Sequence, residues 1–288
     1  MAKWLVLIGV ILVFCVAEWM REIFTFKITH YNIVSKKLNT LTEEKKIVFL
    51  TDLHNNSYGK NNKKLLAAVK CQNPDLILIG GDMLVGKPDV STKVAEDFVK
   101  KLTEICPVYY ANGNHEQRMK IYPDKFGTKY QEYKNSVEQS SVEFLENEHI
   151  DLMFDNCSIQ IYGLEIPREG YKKFSKTNVS LQQIEERIGK ADLSKYQILL
   201  AHNPIYADTY LKWGADLVLS GHLHGGIVRL PGLGGIITPQ FRLFPKYSGE
   251  LTVKNVKSVV VSKGLGTHTI KVRFLNPAEL IVLHLQGK

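Results

Sequence analysis

The sequence predicts an α/β protein in which two sheets face each other and helices cover their outer sides. Short apolar runs rich in β-branched residues recur along the chain, and in its first half they alternate with helix-forming segments. This alternation predicts parallel strands joined by right-handed crossovers. A length of 288 residues with 44% hydrophobic content allows a full core, and it excludes the disordered, collagen-like and disulfide-stapled classes.

The apolar runs and their periodicity define the predicted elements. Strands are predicted at residues 47–50, 75–79, 108–111, 159–164, 197–201, 217–219, 258–261 and 280–285. Helices are predicted over residues 61–70, 90–102, 181–188 and 206–213. Glycine and proline are frequent in residues 225–249, which predicts loops and hairpin edges there. We expect that stretch, together with a loop over residues 122–141, to set substrate selectivity.

An uncharged apolar run occupies residues 4–17. A helix over residues 3–20 would rise about 27 Å at about 1.5 Å per residue, close to the thickness of a bilayer core of about 30 Å. Trp4 and Trp19 would then lie near opposite membrane interfaces. We therefore expect a single-pass anchor over residues 1–22, a linker with a leading strand over residues 23–45, and a catalytic domain over residues 46–288.

Two other interpretations of this run stay open. Cys15 and Ala17 are small enough for a cleavage site, so the run could be a removed signal peptide. A buried core helix is the second alternative. Basic residues flank both ends, with Lys3 before the run and Arg21 after it, so the side of the membrane stays undecided.

The charge and the cysteines narrow the class of partner. The net charge of +8 arises from 37 basic and 29 acidic residues that are spread along the chain without a consecutive basic arm. This pattern gives no reason to expect a nucleic-acid partner, whereas a membrane surface, a phosphorylated substrate or ordinary solvated lysines all account for it. The four cysteines form no CxxC pair, which argues against a thiolate metal site.

Five short polar clusters each follow an apolar run. They contain, in chain order, Asp52 and His54, then Asp82, then Asn114 with His115, then His202, and finally His222 with His224. Ligands of α/β sheets bind outside the carboxyl ends of parallel strands, so these groups should meet at one rim. Each cluster alone could be an ordinary turn or a core histidine. The imidazoles of His222 and His224 lie between glycines and need polar partners if they are buried. The five clusters together predict a two-metal hydrolase.

The ordered set Asp-x-His, Gly-Asp, Gly-Asn-His-Glu, His and Gly-His-x-His resembles the calcineurin-like metallophosphoesterase superfamily over residues 47–224. The segments at residues 221–226, 229–231, 243–247 and 262–267 are similar to its YaeI/YkuE-like membrane-associated phosphodiesterase branch. The resemblance implies a four-layer α/β/β/α metallophosphoesterase sandwich behind the N-terminal membrane-anchor helix.

The resemblance also implies a ligand set. Asp52, His54 and His224 would hold the first metal ion, Asp82 would bridge both ions, and Asn114, His202 and His222 would complete the second site. Mn²⁺ is the first choice by resemblance, with Fe or Zn²⁺ possible for oxygen and imidazole donors. Two ions would activate a bridging water, and His115 would protonate the leaving oxygen or stabilise the transition state.

The sequence departs from the family at two places. In many relatives a second carboxylate three residues after Gly-Asp orients the histidine, but Val85 stands there. Glu116 or Asp89 could take the role, or the orienting group could be absent. Lys263 stands where relatives of this branch commonly have arginine.

Three functions agree with these motifs and with the ligand set that they imply. The first is a membrane-associated phosphodiesterase. The second is a lipid-precursor pyrophosphatase of the UDP-diacylglucosamine type, for which Leu243, Phe244, Lys246 and Tyr247 would offer an apolar and basic approach. The third, a non-catalytic binding module, is least favoured because all seven ligands are present. The substrate would be a phosphodiester or a pyrophosphate, and the oligomeric state cannot be read from the sequence.

Overall fold

Two six-stranded sheets pack face to face in the computed structural model, which describes residues 2–172, 178–226, 228–230, 234–237, 243–267, 273 and 275–288. Buried side chains form three apolar layers, one between the sheets and one on the outer side of each sheet. Each outer layer includes side chains from helices, so the molecule is a four-layer α/β/β/α sandwich, as predicted.

The first sheet has the strand order β1-β14-β2-β3-β4-β5. Its strands are β1 (Phe26–Val34), β2 (Lys45–Leu50), β3 (Leu76–Ile79), β4 (Val108–Tyr110), β5 (Val142–Phe144) and β14 (Ala278–Gln286). Strands β2 to β5 are parallel, while β14 runs antiparallel to β2 and parallel to β1. Its outer face is covered by α2 (Lys63–Cys71), α3 (Lys93–Leu102) and α6 (Lys129–Glu138).

The second sheet has the order β12-β13-β9-β8-β7-β6. Its strands are β6 (His149–Phe154), β7 (Cys157–Leu164), β8 (Tyr196–Ala201), β9 (Leu217–Ser220), β12 (Leu251–Lys254) and β13 (Lys257–Val261). The four central strands are parallel and both edge strands are antiparallel. Helices α7 (Leu181–Ile188) and α8 (Ala207–Trp213) pack on its outer face.

Both faces of β2 are apolar because both are buried. Val48 and Leu50 point towards the helices, whereas Ile47 and Phe49 point towards the second sheet, and none of the four exposes more than 1% of its surface. Strands buried on both faces read as continuous apolar runs, which is why this strand was predictable from sequence.

Most of residues 122–141 form two helices, so the prediction of a loop there was wrong. Helix α5 (Pro123–Phe126) leads into α6, whose Tyr130, Tyr133 and Val137 are buried against the first sheet. These residues recur every three or four positions, as on the buried face of an amphipathic helix, but they are the only three apolar residues of α6.

Within residues 225–249, the structure describes a short antiparallel hairpin of β10 (Val228–Leu230) and β11 (Gly234–Ile237), as predicted. The remainder of that prediction falls partly on residues 227, 231–233 and 238–242, which lie outside the described residues.

The N-terminal run forms α1 (Ala2–Phe24), four residues longer at its end than the predicted helix. Within residues 3–24, an 18-residue window has a mean hydropathy of 2.0 and none of it is buried, so this helix is long and apolar enough to cross a membrane. Its last turn touches the sandwich, where Glu22 is buried and a cavity of about 360 Å³ opens between Ile23, Tyr58 and Leu265.

Strand β1 pairs with β14 along its whole length, from Phe26 opposite Ala278 to Val34 opposite Gln286. Ile33 is 2% exposed and belongs to the layer between the sheets. The chain from residue 26 therefore contributes to the first sheet and to its core.

We predict that Ile33→Ala lowers the free energy of unfolding by about 2–5 kcal/mol, because it leaves a cavity between the sheets. The matched control is Val34→Ala, since the next residue on the same strand is 49% exposed and should change stability by less than about 0.5 kcal/mol. Urea unfolding of the detergent-solubilised chain measures both. Equal effects would show that β1 is not part of the cooperative core.

Candidate metal centre

All eight candidate residues follow the carboxyl ends of five parallel strands. Asp52 and His54 follow β2, Asp82 follows β3, Asn114 and His115 follow β4, His202 follows β8, and His222 and His224 follow β9. The first three strands belong to one sheet and the last two to the other, so the centre lies where the two sheets meet.

The backbone is unusual at this rim. Asp52, His54, Asp82, His222 and His224 all adopt positive φ angles, between 47° and 66°. Residues other than glycine seldom adopt this left-handed conformation, and such strain concentrates at functional sites. It lets Asp52 and His54 aim at one point while Leu53 between them is fully buried.

The His222 amide donates to both oxygens of the Asp52 carboxylate, and Oδ1, at 3.2 Å from that amide, also faces imidazoles. Asp52 Oδ2 accepts hydrogen bonds from Thr51 Oγ1 at 2.8 Å and from the His222 amide at 3.0 Å. Its Oδ1 lies 3.4 Å from His224 Nε2, 3.6 Å from His54 Nε2 and 3.7 Å from His202 Nε2.

The Asp82 carboxylate also contacts a backbone amide and imidazoles. Its Oδ1 accepts the His115 amide at 2.8 Å. Its Oδ2 lies 3.2 Å from His202 Nε2 and 3.9 Å from both His54 Nε2 and His115 Nε2. Asp82 therefore joins the groups contributed by the two sheets.

The imidazoles complete three overlapping clusters whose donor atoms lie within 4.8 Å of one another. These are Asp52, His54 and His224, then His54, Asp82 and His115, then Asp82, His202 and His222. His54 Nε2 and His224 Nε2 are only 3.2 Å apart. His202 Nδ1 donates to the Gly80 carbonyl at 2.7 Å, which fixes the ring with Nε2 facing the carboxylates, as in metal-binding histidines.

Asn114 is the first residue of α4 (Asn114–Ile121). Its Oδ1 is buried and accepts no hydrogen bond from the described residues. A buried amide oxygen without a donor costs free energy, and a cation would satisfy it. Together with the carboxylate and imidazole donors, this oxygen fits a pair of divalent metal ions.

The buried charges of the cluster depend on one another. Burial alone would raise the pKa of Asp52, but His224 and His202 lower it below its usual range. Burial likewise opposes ionisation of Asp82, but His202 and His115 hold its pKa well below the ordinary value. Burial would lower the pKa of His202, and Asp82 and Asp52 raise it to about 10. Divalent cations favour the same ionised carboxylates.

Two glycines of the motifs make room for the carboxylates. A Cβ atom at Gly113 would overlap Asp82 Oδ1, and one at Gly221 would overlap Asp52 Oδ2. These glycines permit the close approach of backbone and carboxylate.

Glu116, one of two residues expected to orient His115, has a different structural role. Its buried carboxylate accepts hydrogen bonds from the amides of Asp82, Met83 and Gly113 and from the Tyr110 hydroxyl, at 2.8 to 3.1 Å. Burial, and next the charge of Asp82, raise the pKa of Glu116 to about 7. Glu116 thus ties together the loops that follow β3 and β4.

A backbone amide contacts the His115 ring instead. The Gly86 N–H donates to Nδ1 at 2.8 Å, so Nδ1 acts as an acceptor and the proton of the neutral ring lies on Nε2. Nε2 faces Asp82. Asp89, the other expected orienter, is exposed.

Sequence reasoning missed several arginines. Arg118 lies 3.4 Å from the His115 ring and Arg168 donates to the Asn114 carbonyl, while the buried Arg273 donates to the carbonyls of Lys263, Gly264 and Gly266 next to Asp52. Arg118 lies one helical turn after Asn114, which is a usable signal. Arg168 and Arg273 stand far from the motifs along the chain and carry no such signal.

Two of the residues expected to line the approach of the substrate contact Asp208 instead. Tyr247 is 5% exposed and donates to Asp208, and Lys246 forms an ion pair with Asp208 at 2.7 Å. Leu243 and Phe244 are exposed, as that interpretation requires. Lys263 forms an ion pair with Glu279 at 2.7 Å.

Comparison with known proteins gives the same family as the motifs. The sequence pattern of the calcineurin-like phosphoesterases matches residues 45–226. A metallophosphoesterase of Campylobacter jejuni is 31% identical over 271 residues, covering 88% of this chain and 63% of that protein. The chain thus spans less than two thirds of that relative.

Two further relatives match most of their own length. A metallophosphoesterase of Aquifex aeolicus is 25% identical, with 93% of this chain and 94% of that protein covered. The phosphodiesterase YaeI of Escherichia coli is 25% identical, with 77% and 75% covered. Because the family pattern matches more than half of the chain and includes every residue of the candidate centre, the chain belongs to the calcineurin-like phosphoesterase family.

Proposed function

We propose that the chain is a phosphodiesterase that depends on two divalent metal ions. The observation that carries this proposal is the position of Asp82 Oδ2, which lies within 3.9 Å of imidazoles from both sheets. Asp52, His54 and His224 would hold one ion, Asp82 would contact both, and Asn114, His202 and His222 would hold the other. Bound ions of this kind activate water and offset charge on phosphate oxygens.

The protein's own groups have separate tasks in this proposal. The Thr51 hydroxyl and the His222 and His115 amides hold the two carboxylates in place. His115 presents Nε2–H at the centre, where it can donate a hydrogen bond to an oxygen on which charge develops. Because Nδ1 accepts a hydrogen bond from the Gly86 amide, we assign His115 the role of stabilising that oxygen through Nε2–H rather than of transferring its proton fully.

Three observations support the finer parts of the proposal. The name of the relative YaeI supports diesters as the substrate class. The exposed, apolar α1 supports a membrane anchor. The oxygen and imidazole donors suit Mn²⁺, Fe or Zn²⁺ alike, and Mn²⁺ is preferred by the family resemblance alone. A lipid-linked pyrophosphate is the second candidate substrate, and the exposed Leu243 and Phe244 favour it.

We predict that Asp82→Asn reduces bound metal from two ions per chain to one or none. Hydrolysis of bis(p-nitrophenyl) phosphate should fall more than about 100-fold, because even partners of metal ligands contribute about 10–100-fold. Elemental analysis and a colorimetric assay measure the two quantities. Asp89→Asn, an exposed aspartate seven residues later, is the matched control. Full metal content and activity in Asp82→Asn would disprove the assignment.

We predict that His115→Gln lowers kcat about 10²–10⁴-fold while two ions stay bound, because His115 contacts substrate rather than metal. Steady-state kinetics and elemental analysis on the same preparation separate the two effects. A parallel loss of metal would make His115 a ligand instead.

We predict that chelation abolishes hydrolysis and that Mn²⁺ restores it, with a diester hydrolysed faster than the matching monoester. The comparison uses bis(p-nitrophenyl) phosphate and p-nitrophenyl phosphate at equal concentration. Activity that survives removal of all bound metal would contradict a metal-dependent reaction.

A further inference from the structure

His224 lies in a loop whose backbone conformation needs support from the rest of the molecule. Strand β9 ends at Ser220, four residues before His224. In the loop that follows it, the φ angles of His222, His224, Gly225 and Gly226 are all positive, between 50° and 90°. Left-handed conformations of residues other than glycine persist only where the surrounding structure fixes them. The position of the His224 ring therefore depends on groups outside its own loop.

The side chain of Asn276 holds this loop from the other sheet. Its Nδ2 donates to the His224 carbonyl at 2.6 Å and to the Gly226 carbonyl at 2.9 Å. Asn276 is 2% exposed and lies two residues before β14 of the first sheet, whereas His224 follows β9 of the second sheet. A side-chain amide has two N–H donors, and both are used here on one loop.

The main chain of Asn276 is held by the buried Arg273. Arg273 Nη1 donates to the Asn276 carbonyl at 3.1 Å, and Nη2 donates to three carbonyls of the 263–266 segment at 2.6 to 3.1 Å. That segment packs against the metal centre, since a Cβ atom at Gly264 would lie 2.7 Å from Asp52 Cβ. One guanidinium thus fixes both Asn276 and the segment behind Asp52.

The amide of Asn276 serves hydrogen bonding rather than packing. Its Oδ1 is buried and accepts no hydrogen bond from the described residues, which costs free energy. An apolar side chain of similar size would fill the same space without that cost. The loop also approaches so closely that a Cβ atom at Gly225 would lie 2.4 Å from Oδ1. The two bonds from Nδ2 are therefore the feature that requires an asparagine at this position.

We propose that Asn276 is a positioning residue for His224, and that it sets the affinity of the first metal ion without binding that ion. This inference rests on the proposed function, in which Asp52, His54 and His224 hold the first ion. His224 Nε2 lies 3.2 Å from His54 Nε2 and 3.4 Å from Asp52 Oδ1. Because distances from a metal ion to its ligands vary by only about 0.2 Å, a small shift of the loop removes His224 from the ion.

The second ion should depend much less on Asn276. His222 lies in the same loop, but its own amide donates to both oxygens of the Asp52 carboxylate. The Gly221 amide donates to the His202 carbonyl at 3.0 Å. The start of the loop is therefore held without Asn276, and the proposal predicts a loss that is confined to one ion.

Calorimetric titration of the metal-free, detergent-solubilised full chain with Mn²⁺ tests this proposal. The wild-type chain should bind two ions. Asn276→Ala should weaken the binding of one ion about 10–100-fold, as the loss of other groups that orient metal ligands does, and should leave the second within about threefold. Asn276→Asp keeps the shape of the side chain but not its N–H donors, so it should weaken the same ion. His224→Ala identifies that ion, because it should weaken the same binding step.

Gln197→Ala is the matched control. Gln197 is fully buried, its Nε2 also donates two hydrogen bonds, and its Oε1 also accepts none from the described residues. It lies near the start of β8, at the opposite end of that strand from His202. This variant should bind both ions with wild-type affinity, because it removes a buried amide without touching a ligand loop.

Three results would overturn the proposal. The first is wild-type affinity for both ions in Asn276→Ala or in Asn276→Asp. The second is an equal loss of affinity for the two ions in these variants. The third is a comparable loss in Gln197→Ala, which would assign the effect to the stability of the fold. A wild-type chain that binds fewer than two ions would instead contradict the proposed function itself, and with it this inference.

Discussion

The pairing of two buried carboxylates with a group of imidazoles is the constraint on which the rest of the site depends. Asp52 and Asp82 are at most 1% exposed, and burying such charges is costly unless every oxygen has a partner. Each carboxylate meets this requirement with a backbone amide and with one oxygen that faces Nε2 atoms, although in Asp52 the amide reaches both oxygens.

Much of the surrounding backbone follows from that requirement. The amides of His115 and His222 can reach the carboxylates only because Gly113 and Gly221 carry no side chain. The left-handed conformations of Asp52, His54 and His224 turn side chains of one sheet towards those of the other. Glu116 adds a second set of bonds between the loops, and it does so without contributing to the metal-binding clusters.

Features that depend on residues close together in the chain could be predicted from the sequence. Strands such as β2 are buried on both faces, so their apolar runs and the polar residues after them were predictable. Helix α6 was missed although its buried Tyr130, Tyr133 and Val137 have helical spacing, because they are its only apolar residues. The contact of the Gly86 amide with His115, 29 residues away, is tertiary and leaves no local trace. The same holds for Arg168, which reaches a carbonyl 54 residues earlier in the chain.

The central claim is that Asp82 joins two metal sites in one centre. The electron paramagnetic resonance spectrum of the Mn²⁺-loaded chain tests it most directly, because ions that share a carboxylate lie about 3.5–4 Å apart and their spins couple. We expect the wild-type chain to give the broad spectrum of an exchange-coupled Mn²⁺ pair and Asp82→Asn to give the spectrum of isolated ions. An isolated six-line Mn²⁺ spectrum from the fully loaded wild-type chain would contradict it.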